Sequence, residues 1–410
     1  MLGPGLITGA SDDDPSGIAT YAQTGAVFGY RNLWLALFSL PFMTAVQEMC
    51  GKIGIVTGKG LAGAIRTRYG RTILFGAVGL LFLANTVNIG ADLGAMAASA
   101  KLLLPGHFVF WLFFFAFLIV FLQILVPYRR YAKVLKYLAL SLFAYVIASF
   151  FVSADWGAVA RGTFFPSVSL SPEFWMNVVA FLGTTISPYL FFWQAGEEVE
   201  EEIVKGEIRE MGKGIPKFSS RDIDDMRTDT VIGMVFSNLV SFFIILVSAA
   251  TLHANGVTGI ETADQAASAL LPFAGEYAFF LFAAGIIGTG LLSVPVLAGS
   301  ASYAVSESLG WREGLGKRFS RAKGFYGIII LASLLGLLVN FLPVPPFKML
   351  YYAAVLNGIA APPLLFFILG ISGDRKIMGK YANSRTLNVL GYATALLMSL
   401  SVVLLFIFLL

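Results

Sequence analysis

Three consecutive carboxylates, Asp12, Asp13 and Asp14, interrupt an apolar segment near the start of the chain. Pro15 follows them directly, and Gly17 lies two residues further on. Proline removes a backbone donor and glycine tolerates unusual dihedral angles, so we expect the helix to open here. Carbonyl oxygens exposed beside carboxylates bind hard divalent cations. We predict Asp14 as the main ligand and Asp12 and Asp13 in an inner vestibule; the alternative is a water-exposed cap before a helix that starts only at Pro15.

A second apolar segment is interrupted at residues 184–189. Thr184, Thr185 and Ser187 offer hydroxyl oxygens, and Pro188 frees carbonyl groups on either side of it. Unwound backbone at membrane depth persists only where it is buried in protein or lines a polar cavity. Two breaks at corresponding positions in two halves of a chain indicate a transporter's substrate site. The alternative for this segment is a structural proline kink whose hydroxyls bond the freed backbone groups.

Other polar side chains within apolar segments extend the predicted cavity. Asn85, Asn88 and Asp92 follow i, i+3, i+7 spacing and therefore share one face of a helix. Asp92 is a candidate for a proton path, because buried carboxylates in membrane helices are usually functional; interhelical hydrogen bonding is the alternative. Asn340 and Asn357 lie in later apolar segments and are expected to complete the cavity.

Two further charged groups have structural explanations. Glu48 and Lys52 are four residues apart, which predicts an ion pair on one helix. Five glutamates within residues 197–202 follow the second break. We expect this acidic run to be a solvated helix end, with an acidic exit for a cation as the alternative.

The composition restricts the class of protein. Hydrophobic residues make up 57% of the 410 and charged residues only 13%, which excludes an ordinary soluble domain. Cys50 is the only cysteine, so the chain forms no intrachain disulfide and no thiolate metal cluster. His107 and His253, the only histidines, fall in predicted loops. The sequence contains no GxxxxGK[ST] loop, no HExxH motif and no haem or flavin signature, so we predict neither an enzyme nor a bound cofactor.

Apolar windows of about 20 residues predict eleven membrane spans. The predicted spans are 1–28, 33–56, 72–100, 108–126, 132–153, 174–196, 229–252, 274–307, 325–343, 347–371 and 386–410. Of the 28 lysines and arginines, 23 fall in loops on one predicted side, which places that side and the amino terminus in the cytoplasm and the carboxyl terminus outside. Because the positive charges follow membrane topology, we predict no nucleic-acid partner.

These spans divide into an all-α architecture of two five-helix repeats and one extra helix. The predicted units are 1–153, 174–371 and 386–410, and each break lies in the first helix of a repeat. An odd number of helices per repeat forces the two repeats into opposite membrane orientations. Inverted repeats of this kind place the substrate site near the midplane between them.

Five short motifs, in order along nearly the whole chain, resemble the Nramp family of divalent metal transporters. They are Gly3-Pro4-Gly5 with Asp14-Pro15, Gly54-Ile55-Val56-Thr57-Gly58-Lys59, Ala91-Asp92-Leu93, Gly183-Thr184-Thr185-Ile186-Ser187-Pro188-Tyr189 and Val355-Leu356-Asn357-Gly358. The resemblance implies a leucine-transporter-type fold that works by alternating access. It also implies that a divalent metal is the transported substrate.

The chain departs from the family pattern at four positions around the breaks. The family's metal-binding Asn falls on Gly17, its methionine ligand on Ser187, and its two sixth-helix histidines on Tyr189 and Gln194, while Asp14 is retained. A thioether favours softer transition metals, so its replacement by a hydroxyl favours a hard cation that keeps its water. The chain is similar in this respect to the Nramp-related magnesium transporters. The histidine losses argue against proton coupling, whereas Asp92 argues for it.

We therefore expect a secondary transporter in a prokaryotic plasma membrane that carries Mg²⁺ first and Mn²⁺ next. Asp14, Ser187, Thr184 and Gly17 would form the metal site, while Asp12, Asp13, Asn88, Asp92, Tyr189, Gln194 and Asn357 would line a vestibule or proton path. A carrier of cationic amino acids or amines with the same fold is the alternative within transport, and a receptor or structural subunit is the alternative outside it. The sequence leaves the oligomeric state open.

Overall fold

Helices form nearly all the regular structure in residues 3–126 and 142–409, the part of the chain that this computed structural model describes. The first six helices are α1 (Pro4–Asp12), α2 (Pro15–Phe28), α3 (Trp34–Thr57), α4 (Leu61–Tyr69), α5 (Arg71–Leu103) and α6 (Phe108–Leu125). The next six are α7 (Phe143–Ala148), α8 (Trp156–Phe164), α9 (Pro172–Thr185), α10 (Pro188–Lys205), α11 (Ser220–Thr251) and α12 (Ala263–Ala267). The last six are α13 (Leu271–Ala274), α14 (Ala278–Leu309), α15 (Lys323–Val339), α16 (Pro346–Ser372), α17 (Arg375–Met378) and α18 (Arg385–Leu409).

Both predicted breaks are confirmed. Helix α1 ends at Asp12 and α2 begins at Pro15, while α9 ends at Thr185 and α10 begins at Pro188. Each proline occupies the first position of the second half-helix, where its missing N–H costs nothing and its fixed φ favours the helix. The half-helix α1 exists and all three aspartates are buried, which excludes the alternative of a water-exposed cap.

The number of spans is only partly reproduced. Within residues 3–126 and 142–409, seven helices are long and apolar enough to cross a bilayer, or eight if the pair 15–32 and 34–57, bent by 109°, counts as one. The half-helix α1 is too short to count alone, and α15 has 17 residues. Residues 132–141 of the predicted span 132–153 lie outside the described residues. The total of eleven therefore stays a prediction.

Glycines let the first half of each broken helix pack closely against a neighbour. On α11, a Cβ atom at Gly233 would overlap the carbonyl oxygen of Gly5 in α1. On α9, a Cβ atom at Gly183 would overlap the backbone of Ala354 and Gly358 in α16. Small residues at helix interfaces allow such backbone contact in membranes. Glycine contacts thus position both half-helices, α1 against α11 and α9 against α16.

Asp229 on α11 fixes the amino-terminal end of α1. Its carboxylate accepts backbone hydrogen bonds from Gly3 (2.9 Å), Gly5 (2.6 Å) and Leu6 (3.3 Å). A negative charge at this end is favoured by the helix dipole and satisfies N–H groups that have no partner within the helix. Together with Gly233, Asp229 therefore docks α1 on α11.

Replacement of Gly233 by valine should destabilise the protein, because the new side chain meets backbone and not a movable side-chain end. We expect a loss of about 1–3 kcal/mol, which is typical of overpacking, and a lower melting temperature in detergent. Gly79→Val is the matched control, since no atom lies within 4 Å of a Cβ placed there. Equal melting temperatures for the two variants would contradict the close contact between α1 and α11.

Candidate functional site

Asp14 lies at the start of α2 and is 1% exposed. Its Oδ1 accepts hydrogen bonds from Gly17 N and from Ser16 Oγ, both at 2.6 Å, so the carboxylate caps α2. Its Oδ2 accepts from Asn88 Nδ2 of α5 at 2.9 Å. Local helix capping therefore holds this carboxylate in the break, and a second helix orients it.

Asp12 and Asp13 both face α11. Ser237 Oγ lies 2.6 Å from Asp12 Oδ2 and 3.2 Å from Asp13 Oδ1. The remaining oxygens, Asp12 Oδ1 and Asp13 Oδ2, are buried and accept no hydrogen bond from any residue that the structure describes. Buried carboxylate oxygens are costly unless a donor or a cation compensates them. These two oxygens are accordingly available to a proton or a cation.

The two breaks meet at Gly17. A Cβ atom there would lie 2.9 Å from the carbonyl oxygen of Asp12 and 3.1 Å from Thr184 Oγ1 of α9. Thr184 and the carboxylate-bearing break are therefore brought together as the sequence predicts. A larger residue at this position, such as the Asn of the family motif, would require the break to widen.

Ser187 and Thr185 hold the second break together. Ser187 Oγ donates to the carbonyl oxygen of Gly183 at 2.6 Å, and Thr185 Oγ1 donates to that of Phe181 at 2.9 Å. Both hydroxyls thus bond carbonyl groups in the last turns of α9, as the kink alternative supposed. Their own oxygens still have lone pairs, so this bonding does not remove Ser187 as a cation ligand.

A chain of amides connects Asp14 to α16. Asn357 Nδ2 donates to Asn88 Oδ1 at 3.2 Å, and Asn88 in turn donates to Asp14. Asn85 instead donates to the backbone of Leu297, and Asn340 donates to that of Gly90, so these two asparagines connect neighbouring helices away from Asp14. The structure therefore separates the polar residues of α5 into Asn88, which touches Asp14, and Asn85, which does not.

Asp92 is buried one turn beyond Asn88 on α5. Ser293 Oγ donates to its Oδ2 at 3.3 Å, while its Oδ1 accepts no hydrogen bond from any residue in 3–126 or 142–409. Asp92 therefore keeps one oxygen, Oδ1, that can accept a hydrogen bond beside the site.

Tyr189 and Gln194 bind α1 to α10. The hydroxyl of Tyr189 donates to the carbonyl oxygen of Ser11, in the last turn of α1, at 2.7 Å. Gln194 accepts from Thr8 Oγ1 through Oε1 and donates to Glu198 through Nε2. Gln194 thus contacts α1 and helps to hold α1 against α10.

Two hydroxyls that the sequence does not single out, those of Ser237 and Ser293, contact buried aspartates. Each is one of several serines in its helix, and Ser241 and Ser308 in the same helices donate only to carbonyl groups of their own helix. No spacing pattern distinguishes the two kinds of serine. The packing of α11 against α1, and of α14 against α5, determines which serines meet the aspartates.

The expectation of a solvated acidic helix end after the second break is wrong. Glu197, Glu198, Glu200 and Glu202 are between 3% and 9% exposed, because α10 packs inside the bundle. Tyr303 donates to Glu197 at 3.2 Å and to Glu200 at 3.4 Å.

Glu313 and Glu48 are two further acidic side chains outside the two breaks. In the loop after α14, burial and the neighbouring Glu307 raise the pKa of Glu313 well above its usual value. The predicted Glu48–Lys52 ion pair is present at 3.7 Å, and Arg227 joins it at 2.8 Å from Glu48.

The site does not contain a preformed cluster of charged ligands. Among the residues that the structure describes, no three His, Cys, Asp or Glu side chains converge as metal ligands. A cation at the breaks would be bound by one or two carboxylates together with hydroxyl, amide and carbonyl oxygens. Such a donor set suits a hard cation that retains water.

The chain was compared with known proteins. The family model described as natural resistance-associated macrophage protein-like, Nramp, matches residues 5–408. The divalent metal cation transporter MntH of Klebsiella pneumoniae is 28% identical over 98% of this chain and 92% of its own length. That of Erwinia tasmaniensis is 26% identical over 95% of this chain and 90% of its own.

Solved structures agree on the fold. A manganese transporter of Eremococcus coleocola superposes with a TM-score of 0.78 at 18% identity, covering 98% of this chain and 84% of its own. MhsT in complex with L-phenylalanine superposes with a TM-score of 0.65 at 13% identity, covering 98% of both chains. At these identities the likeness shows the fold alone.

Two interrupted helices that meet at a buried carboxylate, in a leucine-transporter-like fold, define a multi-pass membrane transporter. The match over nearly the whole length is specific: the chain belongs to the Nramp family. This family consists of divalent metal transporters, so the protein is not an enzyme, and a metal is its substrate and not a cofactor. An amino-acid or amine carrier is not favoured by this membership.

Asn88→Ala should weaken metal binding about tenfold or more, because the amide that orients Asp14 is lost. Asn85→Ala is the matched control, one turn away on the same helix, since its amide bonds only α14. Titration of purified protein with Mn²⁺ and Mg²⁺ measures both affinities. Equal affinities in the two variants would show that Asn88 does not orient the ligand.

Proposed function

We propose that this protein is a secondary transporter that moves divalent cations across a prokaryotic plasma membrane, with Mg²⁺ preferred and Mn²⁺ next. The observation that carries the proposal is the buried carboxylate of Asp14 at the meeting point of two helix breaks. The unsatisfied oxygens of Asp12 and Asp13 nearby add negative charge in the same region. A bound cation would offset the negative charge of these aspartates, which hydrogen bonds from the described residues compensate only in part.

The preference for Mg²⁺ rests on the chemistry of the donors. Asp14, Thr184 and Ser187 supply only oxygen, and Gly17 supplies no side-chain ligand. Mg²⁺ dehydrates reluctantly and binds through one or two carboxylates with several retained waters. A sulfur ligand, which would favour softer transition metals, is absent from position 187.

Alternating access would come from movement of the half-helices within two inverted repeats, 1–153 and 174–371, with 386–410 as an extra helix. Docking of α1 through Gly233 and Asp229, and of α9 through Gly183, supports this proposal, because each half-helix meets a partner helix backbone to backbone. We further propose eleven spans with the amino terminus in the cytoplasm, in keeping with the distribution of lysine and arginine.

Asp92 is our candidate for a proton path. Its Oδ1 is buried without a donor among the described residues, and its only side-chain donor is Ser293 at 3.3 Å. Asp12 and Asp13 each also have one buried oxygen without a donor among the described residues, and both face α11. A proton on any of these carboxylates would compensate its charge when no cation is bound.

Asp14→Ala should abolish saturable uptake of Mg²⁺ and Mn²⁺ into proteoliposomes, since it removes the carboxylate that accepts hydrogen bonds from both α2 and α5. The purified variant should keep its elution profile in size-exclusion chromatography. Asp225→Ala is the control, because its side chain is 73% exposed and pairs only with Arg221 on the surface. Undiminished flux in Asp14→Ala would overturn the proposal.

Ser187→Met should shift selectivity toward softer metals. We expect the ratio of Mn²⁺ or Cd²⁺ uptake to Mg²⁺ uptake to rise about tenfold, because a thioether replaces a hydroxyl at the second break. Ser187→Ala separates the two contributions, since it removes the hydroxyl bond to Gly183 without adding sulfur. If the uptake ratio changed equally in Ser187→Ala and Ser187→Met, residue 187 would affect selectivity through the shape of the site and not through a metal-ligating atom.

A further inference from the structure

A cavity of about 660 Å³, lined by both apolar and charged residues, lies away from the two breaks, at the end of the bundle where α2 ends and α8 follows the predicted fifth span. Arg31 and Arg161 line it and are both exposed. Neither guanidinium forms an ion pair with any residue in the described part of the chain. Asp155 also lines the cavity, and its Oδ1 caps α8 by accepting hydrogen bonds from the backbone N–H groups of Gly157 and Ala158. The two guanidinium groups, which pair with no carboxylate among the described residues, outnumber this one carboxylate and suit an anion.

The walls of this cavity are fixed by close packing. A Cβ atom at Gly162 on α8 would overlap the carbonyl oxygen of Tyr30, so helix and turn touch backbone to backbone. Ser167 Oγ donates to the carbonyl oxygen of Arg31 at 3.0 Å, and His253 Nδ1 donates to that of Ala26 at 2.8 Å. The backbone that carries the two arginines is therefore held in place.

An apolar groove of about 210 Å³ adjoins the cavity along the chain. Ser167 lines the cavity, and the next residue, Val168, lines the groove. The groove is formed by α3, α9 and α18, and its rim includes Phe38 and Leu400, which are 43% and 54% exposed. On a membrane-spanning bundle, such outward-facing apolar side chains contact lipid tails.

We propose that the cavity and the groove together bind one phospholipid, with the phosphate between Arg31 and Arg161 and an acyl chain along α18. Guanidinium groups bind phosphate through paired, charge-assisted hydrogen bonds, which explains two unpaired arginines where basic residues are scarce. The groove supplies the apolar surface that a free phosphate would not need. Exposed aromatic residues on α8, among them Trp156 and Phe164, fit a helix lying in the interface.

Native mass spectrometry of the full-length protein, titrated with dioleoyl phosphatidylglycerol, tests the proposal. We expect one retained lipid in the wild type and at least tenfold weaker retention in the double variant R31Q/R161Q. The double variant K101Q/K348Q is the control, because it removes the same charge on the same predicted side, from the end of α5 and the start of α16. Equal weakening in both double variants would overturn the proposal.

Three further measurements distinguish a lipid from other occupants. Dioleoylglycerol, which has the same chains without phosphate, should bind at least tenfold more weakly than the phospholipid. Leu400→Trp, which fills the groove from its exposed rim, should weaken phospholipid binding severalfold in correctly folded protein. Glycerol 3-phosphate should not displace the lipid at a tenfold excess. Displacement, or phospholipid binding unchanged by Leu400→Trp, would mean a free-anion site and would contradict the proposal.

Discussion

A carboxylate at membrane depth must be compensated, and Asp14 meets this requirement through three hydrogen bonds that also organise the site. The bonds from Ser16 and Gly17 cap α2, and the bond from Asn88 connects the break to α5. Asn357 extends the same connection to α16. Because the ligand group is held by the helix end it caps, a change in its position must accompany a movement of α2 or α5. A cation bound at Asp14, as we propose, would thereby be coupled to the positions of these helices.

The half-helices on the other side of each break are held differently. Helix α1 contacts α11, and α9 contacts α16, backbone to backbone at glycines. Asp229 adds three backbone hydrogen bonds at the end of α1. Such contacts can be released and re-formed as a unit, whereas interlocked side chains would have to repack. In the proposed mechanism, the position of Asp14 would stay fixed by its hydrogen bonds while these neighbouring half-helices move.

The sequence allowed prediction of the breaks and of most helix bounds, because proline within an apolar segment has a direct backbone consequence. It also allowed prediction of Thr184 at one site with the first break, and of Asn88 in the polar cavity through helical spacing. The hydrogen bond from Asn88 to Asp14 came only from the structure. It did not reveal the burial of the glutamates on α10, since a run of like charges is usually solvated and only tertiary packing encloses it. Nor did it identify Ser237, whose role depends on the glycine contact between α1 and α11.

We propose that oxygen ligands at the two breaks select a hard divalent cation. Metal competition in proteoliposomes examines this selectivity, with Mn²⁺ uptake measured against increasing Mg²⁺ or Ca²⁺, with and without a pH gradient. We expect saturable Mn²⁺ uptake that a tenfold excess of Mg²⁺ suppresses almost completely. Saturable Mn²⁺ uptake that is unaffected by excess Mg²⁺ would contradict it.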